Sequence, residues 1–209
     1  MSSRIATVPN LLTVIRMFLI PVFVICLYYQ KFGWGLAIFV GAGLTDALDG
    51  MLARRFDQKS QLGTILDPIA DKLLLVASFI TLSLPSIISK NALPLPHENL
   101  HLPVPFWVTT AVISRDIFIV VGAAAINIVT GFRNFRPSPL GKINTFVQIV
   151  SIVVILLATQ FPVLRGYVLP TVYMTVFAFA ALSGVHYIFH AARLLGERTE
   201  RTERTNSSS

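Results

Sequence analysis

Residues 46–71 read DALDGMLARRFDQKSQLGTILDPIAD and place four aspartates, Asp46, Asp49, Asp67 and Asp71, between two long apolar stretches. A charged side chain at membrane depth is costly, so each of these acids is a candidate functional group. Residues three and four apart share one face of a helix. The spacing therefore predicts two acidic stripes on two helices, and the short polar loop between the helices lets the stripes face each other.

Small residues accompany both stripes. Gly50 and Ala53 share the face of the first acidic pair, and Gly63 shares the face of the second. Four carboxylates that converge in a low dielectric repel one another unless cations neutralise them. Mg²⁺ prefers oxygen ligands and also takes substrate phosphates as ligands. The pattern therefore predicts a divalent-cation site that receives a phosphate compound, with Arg54 as a phosphate contact at one end.

The whole chain has the composition of a polytopic all-α membrane protein. Of its 209 residues, 54% are hydrophobic and 13% are charged, against about 25% charged residues in soluble domains. Runs of about 20 apolar residues predict transmembrane helices. We expect one domain over residues 1–195 and a polar, disordered tail over 196–209. The six predicted spans are 11–30, 34–53, 62–84, 106–129, 143–161 and 167–190.

Lysine and arginine predict the orientation. The loops and termini on one side contain eleven of these residues and those on the other side contain three. The excess lies on the cytoplasmic side of membrane proteins, so we expect cytoplasmic termini, an acid cluster near the cytoplasmic face and a bacterial-type inner membrane. The net charge of +7 then reflects topology and contacts with anionic lipid rather than nucleic-acid binding. Trp34 and Trp107 lie at span ends, as interfacial anchors do.

The complete pattern resembles a known signature. Asp46-x-x-Asp49-Gly50-x-x-Ala53-Arg54, eight further residues and Gly63-x-x-x-Asp67-x-x-x-Asp71 match the CDP-alcohol phosphotransferases at every fixed position. The lead-in PNLLTVIR at 9–16 and the run LDPIADKLL at 66–74 are similar to bacterial phosphatidylglycerolphosphate synthases and CMP-forming cardiolipin synthases. The resemblance implies a six-helix bundle, commonly a homodimer, that transfers the phosphatidyl group of CDP-diacylglycerol to an alcohol and releases CMP.

The resemblance also implies roles for individual residues. Two divalent ions, Mg²⁺ or Mn²⁺, would be bound by the four aspartates, with Asp71 at the edge of the cluster as the general base. Arg16 could reach the diphosphate, although an ion pair or an interfacial position is the alternative. The implied CDP-site residues are Gly50, Ala53, Arg54, Gly63, Asn10 and Arg16.

The acceptor alcohol is less defined by sequence. A phosphorylated acceptor needs cations, and the candidates are Arg115 and Lys142, with Arg133 and Arg136 nearby. Phosphatidylglycerolphosphate synthases usually have a second arginine in span four and Gly-Lys-x-Lys-Thr before span five, whereas this chain has Gly-Lys-Ile-Asn-Thr, with Asn144 in place of a lysine. That departure resembles cardiolipin synthases, whose acceptor is phosphatidylglycerol. We expect glycerol 3-phosphate as the acceptor, because phosphatidylglycerolphosphate synthases are common among short bacterial-type chains. Phosphatidylglycerol is the alternative.

Two other interpretations compete with the enzyme. The acids could be structural and pair with Arg16, Lys72 and Arg115, while Arg115 could pair with its neighbour Asp116. The acids could also belong to a cation transporter, since intramembrane acids often line ion pathways. A conduction path needs polar residues through the full membrane thickness, and outside the two acidic stripes the only acid inside a predicted span is Asp116.

Overall fold

The computed structural model describes the backbone of residues 8–56, 61–88, 102–130 and 139–206, and the side chains of 11–46, 66, 69–87, 102–122, 140–161 and 163–187. The described part of the chain is all-helical, which confirms the all-α part of the predicted fold class. Its elements are α1 (Val8–Tyr28), α2 (Phe32–Phe56), α3 (Gln61–Ser83), the short α4 (Pro85–Ile88), α5 (Phe106–Thr130), α6 (Pro139–Gln160), a 3₁₀ turn (Pro162–Leu164) and α7 (Val168–Asn206).

The six long helices coincide with the six predicted spans. Among the described residues, three segments are long and apolar enough to cross a membrane, Leu11–Tyr28, Leu140–Gln160 and Val168–Tyr187, and Phe32–Asp46 is a shorter apolar helix. The count of six spans therefore stays a prediction. Helix α7 continues to Asn206, through most of the segment for which we expected disorder. Acidic and basic residues four positions apart in that segment favour a helix.

The long helices close into a ring. Helix α1 packs against α2 and α3, α3 against α5, α5 against α7, α7 against α6, and α6 against α2. Side-chain contacts give the directions. Arg16 meets Asp46 and Asp71, and Gln30 donates a hydrogen bond to the Ile87 carbonyl, so α1 and α3 run parallel. Helices α5 and α7 also run parallel, because Trp107 contacts Phe177 and Arg115 contacts Ser183.

The interior changes character along the helix axes. At the end where α1 finishes, it is filled by apolar side chains such as Phe23, Phe39, Phe79 and Ile155. At the other end, buried polar side chains take their place: Thr13, Arg16, Arg115, Asp116, Asn144, Gln148 and Ser183. Buried hydroxyls such as Ser78 and Thr109 also occur at the apolar end, where they donate to backbone carbonyls. Because burying charged and carboxamide groups is costly without partners, their concentration at one end indicates the location of a site.

Aromatic side chains surround the apolar end. Tyr29, Trp34, Phe106, Trp107 and Tyr167 are exposed and lie at the helix ends there. Tryptophan and tyrosine concentrate at membrane–water interfaces. Exposed apolar residues such as Phe18, Phe118 and Phe146 cover the outer faces of the helices. This surface is that of a bundle embedded in lipid. The polar interior lies at the end opposite these exposed aromatic side chains.

Candidate active site

Two of the four aspartates converge on one arginine. Arg16 Nη1 lies 2.8 Å from Asp46 Oδ1 and 2.7 Å from Asp71 Oδ1. The arginine side chain is 1% exposed, whereas the two carboxylates keep 40% and 39% of their surface. Arg16 therefore joins α1, α2 and α3 from inside the bundle, and the carboxylates remain open to a ligand. The ion-pair alternative for Arg16 is the arrangement that the structure contains.

Helical backbone extends through the signature on both sides of the loop. Helix α2 continues to Phe56 and α3 begins at Gln61, so the predicted periodicity applies to both acidic stripes. Asp49 follows Asp46 by one turn, and Asp67 precedes Asp71 by one turn. The structure describes only the backbone at the other predicted donor-site residues, Asn10, Asp49, Gly50, Ala53, Arg54, Gly63 and Asp67.

The described carboxylates fit a site for a cation. Both oxygens contact the same nitrogen, so they are separated by no more than the two distances together, about 5.5 Å. Carboxylates this close favour a positive charge between them, and oxygen ligands suit Mg²⁺. Among the side chains that the structure describes, no group of three or more metal-ligating residues occurs. The metal site with all four aspartates therefore remains a prediction.

A second charged cluster lies beside the first and joins three helices. Asp116 Oδ1 lies 2.7 Å from Arg115 Nη1, and Asp116 Oδ2 lies 2.8 Å from Lys72 Nζ. The Arg115 guanidinium also donates to Ser183 Oγ, from Nη2 at 2.7 Å and from Nε at 3.2 Å. We call Lys72, Arg115 and Asp116 the basic cluster. It has two positive charges and one negative charge, and Lys72 directly follows Asp71 in α3.

The predicted acceptor residues differ in where they lie in the bundle. Arg115 is 7% exposed and belongs to the basic cluster at the polar end of the bundle. Lys142 is exposed near the start of α6, two residues from the buried Asn144 and thus about 200° around the helix from it. Arg133 and Arg136 lie outside the described residues. Their acceptor role stays a prediction.

Two interior residues of α6 had little weight in the sequence reasoning. Asn144 was noted only as the replacement for a lysine, and no role was predicted for Gln148. Both are buried, at 0% and 1% exposure. The signal was present, because Asn144, Gln148 and Ser151 follow the i, i+4, i+7 pattern of one helix face within an otherwise apolar span.

Comparison with known proteins gives a consistent result. A family model described as CDP-alcohol phosphatidyltransferase matches residues 6–187. A probable phosphatidylglycerophosphate synthase of Mycobacterium tuberculosis is 30% identical over 203 residues, covering 93% of this chain and 86% of the relative. A putative cardiolipin synthase of Mycobacterium bovis is 35% identical over 156 residues, covering 74% of this chain and 66% of the relative. A CMP-forming cardiolipin synthase of Rattus norvegicus is 33% identical over 171 residues, covering 74% and 51% respectively.

Proposed function

Because this chain belongs to the CDP-alcohol phosphatidyltransferase family, we propose that it transfers the phosphatidyl group of CDP-diacylglycerol to phosphatidylglycerol, forming cardiolipin and CMP. The observation that supports the donor chemistry is the convergence of Asp46 and Asp71 at the polar end of the bundle. The family assignment makes the chain a CDP-dependent phosphatidyltransferase of the membrane. The choice of acceptor rests on the charges beside this site.

In the proposed reaction the acceptor hydroxyl attacks the lipid-bearing phosphorus of the donor. A new bond forms between that oxygen and phosphorus, the bond from phosphorus to the CMP oxygen breaks, and the hydroxyl proton passes to Asp71. Asp46, Asp49 and Asp67 would hold the divalent ions, with Asp71 at the edge of the cluster. Such ions, when bound, would neutralise the diphosphate and the charge that develops on the leaving group.

Arg16 would act as a positioning residue for the base. Its Nη1 donates a hydrogen bond of 2.7 Å to Asp71 Oδ1, which restricts the rotation of that carboxylate. The second carboxylate oxygen, Oδ2, would then accept the proton from the acceptor. Hydrogen bonds to ionised groups are stronger than those between neutral groups, so Arg16 supports a single orientation of Asp71. A general base needs such an orientation to stand within hydrogen-bond reach of its proton.

The basic cluster supports phosphatidylglycerol as the acceptor. Lys72 and Arg115 contribute two positive charges, and Asp116 cancels one of them through contacts of 2.8 and 2.7 Å. The net charge of +1 suits a phosphodiester, which has one negative charge. A phosphate monoester has between 1.5 and 2 negative charges near neutral pH and would lack a partner for part of its charge.

A second candidate is the transfer to glycerol 3-phosphate that we expected from the sequence. It is supported by the similarity, over 93% of this chain, to a protein named probable phosphatidylglycerophosphate synthase. Arg133 and Arg136 precede α6 and could supply the additional positive charge. The cation-transporter alternative has less support, because the described interior around Phe23, Phe39 and Phe79 is filled by apolar side chains and contains no buried charged side chain among the described residues.

Two features support an active site at the cytoplasmic face: the positive-inside pattern of lysine and arginine, and the exposed aromatic side chains that surround the end of the bundle opposite the acids. Cytoplasmic termini and a bacterial-type inner membrane are part of the proposal. A homodimer, with phospholipids around it, is proposed from the family resemblance alone.

A direct assay tests the function. The purified full-length protein in detergent micelles is supplied with CDP-diacylglycerol, Mg²⁺ or Mn²⁺, and either phosphatidylglycerol or glycerol 3-phosphate. We expect CMP release with phosphatidylglycerol and a product with the mass of cardiolipin. CMP release only with glycerol 3-phosphate would favour the second candidate. The absence of CMP with both acceptors would contradict the proposed chemistry.

A further inference from the structure

The interior face of α6 is polar in its first half and apolar in its second half. Asn144, Gln148, Ser151 and Ile155 follow one another along this face and are all buried. Buried residues beyond them, including Leu156 and Ala158, are apolar. The change from polar to apolar follows the same axis as the change in the whole bundle interior. The polar half of α6 therefore belongs to the end of the bundle that contains the acids.

Three of the four polar atoms of the two carboxamides on this face are buried without hydrogen-bond partners among the described residues. Neither Oδ1 nor Nδ2 of Asn144 has a partner, and Nε2 of Gln148 has none. Ser151 differs, because its hydroxyl donates to the Val147 carbonyl at 2.7 Å. Buried polar groups are normally hydrogen-bonded, so unsatisfied ones need an explanation. A ligand that enters this part of the interior would provide the missing partners.

The register of neighbouring helices brings the carboxamides level with the reaction centre. Gly33 of α2 faces Gln160 of α6, since a methyl group on Gly33 would lie 3.4 Å from Gln160 Oε1. Thr109, near the start of α5, donates to the Phe79 carbonyl near the end of α3, so α5 and the parallel α7 run opposite to α3. Helix α2 also runs opposite to α3, and α6 turns back into α7 through a short connection, so α2 and α6 are antiparallel. Twelve residues of helix cover about 18 Å at 1.5 Å per residue. Counting twelve residues forward from Gly33 along α2 and twelve residues back from Gln160 along α6 brings Gln148 opposite Thr45, the neighbour of Asp46.

The connection between α6 and α7 gives a second, independent register. Helix α6 ends at Gln160 and α7 begins at Val168. Moving sixteen residues away from this connection along each helix brings Asn144 level with Gly184, about 24 Å away from the connection. Gly184 adjoins Ser183, which accepts a hydrogen bond from Arg115. Both registers therefore bring the carboxamides to the level of the acids and the basic cluster.

We propose that Asn144 and Gln148 form a carboxamide pair that binds the polar headgroup of the acceptor and determines which acceptor is used. This inference rests on the proposed function. Amide N–H groups can donate to the non-bridging oxygens of a phosphodiester, and the Asn144 carbonyl oxygen can accept from a glycerol hydroxyl. Neutral donors add no charge to the +1 of the basic cluster, so the pair selects a monoanionic phosphodiester over a dianionic monoester.

Shape-matched apolar variants test the pair. Asn144→Leu and Gln148→Met remove the hydrogen-bonding atoms and keep the approximate side-chain size. We expect each to raise the KM for phosphatidylglycerol about three- to tenfold, as for the loss of one neutral hydrogen bond. The KM for CDP-diacylglycerol should stay unchanged. Ser151→Ala is the matched control on the same helix face, and its acceptor KM should equal that of the wild type.

Thermal unfolding in detergent separates ligand binding from a packing role. Neither polar atom of the Asn144 carboxamide has a hydrogen-bond partner in the described structure, so Asn144→Leu should keep or raise the melting temperature. A lowered melting temperature together with an unchanged acceptor KM would refute the pair's role and indicate helix packing. Equal increases in KM for donor and acceptor would refute acceptor recognition as well.

A charge-altering variant tests selectivity in the opposite direction. Asn144→Lys adds a cation level with the basic cluster, and we expect it to raise the ratio of kcat/KM for glycerol 3-phosphate over that for phosphatidylglycerol about tenfold. An unchanged ratio would overturn the proposed selectivity. Wild-type turnover is measured first. If the wild type releases no CMP with either acceptor, the proposed function fails. If the wild type turns over normally and the variants have wild-type acceptor KM values and acceptor ratios, only the carboxamide pair is refuted.

Discussion

Replacing Arg16 by methionine removes the cation that two carboxylates share. The wild-type guanidinium is almost completely buried and contacts Asp46 and Asp71 at 2.8 and 2.7 Å. Methionine fills a similar volume without a charge. In Arg16→Met the two carboxylates face each other across a gap of at most about 5.5 Å, with no positive side chain between them. The metal-free protein should therefore lose stability.

The size of this effect follows from the separation of the carboxylate oxygens. Two unit charges 5.5 Å apart repel each other by about 3 kcal/mol at an effective dielectric constant of 20 and by about 0.8 kcal/mol in water. Because both carboxylates are about two-fifths exposed, we expect a value between these limits, about 1–3 kcal/mol. For a chain of this length, each kcal/mol shifts the melting temperature by roughly 2–4 °C.

The assay compares melting temperatures with EDTA and with Mg²⁺ in mild detergent. A divalent ion bound by Asp46 and Asp71 would offset the repulsion, so Mg²⁺ should raise the melting temperature of Arg16→Met more than that of the wild type. Arg165→Met is a matched control, because Arg165 donates to the Ala158 and Thr159 carbonyls at the opposite end of the bundle. Equal effects of Mg²⁺ on wild type and Arg16→Met would refute a cation site shared by the two carboxylates.

Three further variants test the remaining roles. Asp71→Asn should reduce turnover at least about 100-fold, the typical contribution of a general base, while Mg²⁺ still stabilises the protein; retained turnover would exclude Asp71 as the base. Asp116→Ala leaves the buried Arg115 guanidinium without its carboxylate and should lower the free energy of unfolding by about 3–5 kcal/mol. The same substitution made in the Arg115→Met variant should cost less; an equal loss in the wild type and in Arg115→Met would contradict the pairing. Lys142→Met should raise the acceptor KM less than about threefold at low salt, and this difference should vanish at high salt because the exposed charge is screened; a larger, salt-independent change would indicate direct contact.

The signature could be predicted from sequence because its function depends on local spacing. Asp46 and Asp71 were assigned to facing helices from the i, i+3, i+4 pattern and the short loop, and the structure brings these two carboxylates to one cation. The helix positions were equally predictable from the apolar runs. Both properties depend on residues close together in the sequence, where helical periodicity alone determines which side chains share a face.

The contact of Arg115 with Ser183 and the unpartnered carboxamide nitrogen of Gln148 could not be predicted in the same way, because they depend on packing between distant helices. The sequence left open whether Arg115 pairs with Asp116 or binds substrate, and the contribution of Ser183, 68 positions away, had no local signal. Gln148 could be recognised as polar within a span, but not as a buried group without a partner. That property depends on which helix faces α6 at that level.

The charges at the polar end indicate how an acceptor would be recognised in the proposed reaction. Arg16 with Asp46 and Asp71 has a net charge of −1, and the adjoining basic cluster has +1. Asp49 and Asp67 would add two negative charges and the donor diphosphate about two more, which two divalent cations would neutralise. No positive charge from the cations would then be left for the acceptor. Among the described residues, the basic cluster and neutral groups would remain for it, and Arg133 and Arg136 could add to them. A single replacement of Asn144 by a cation would change that balance by one charge, which is the difference between a phosphodiester and a phosphomonoester.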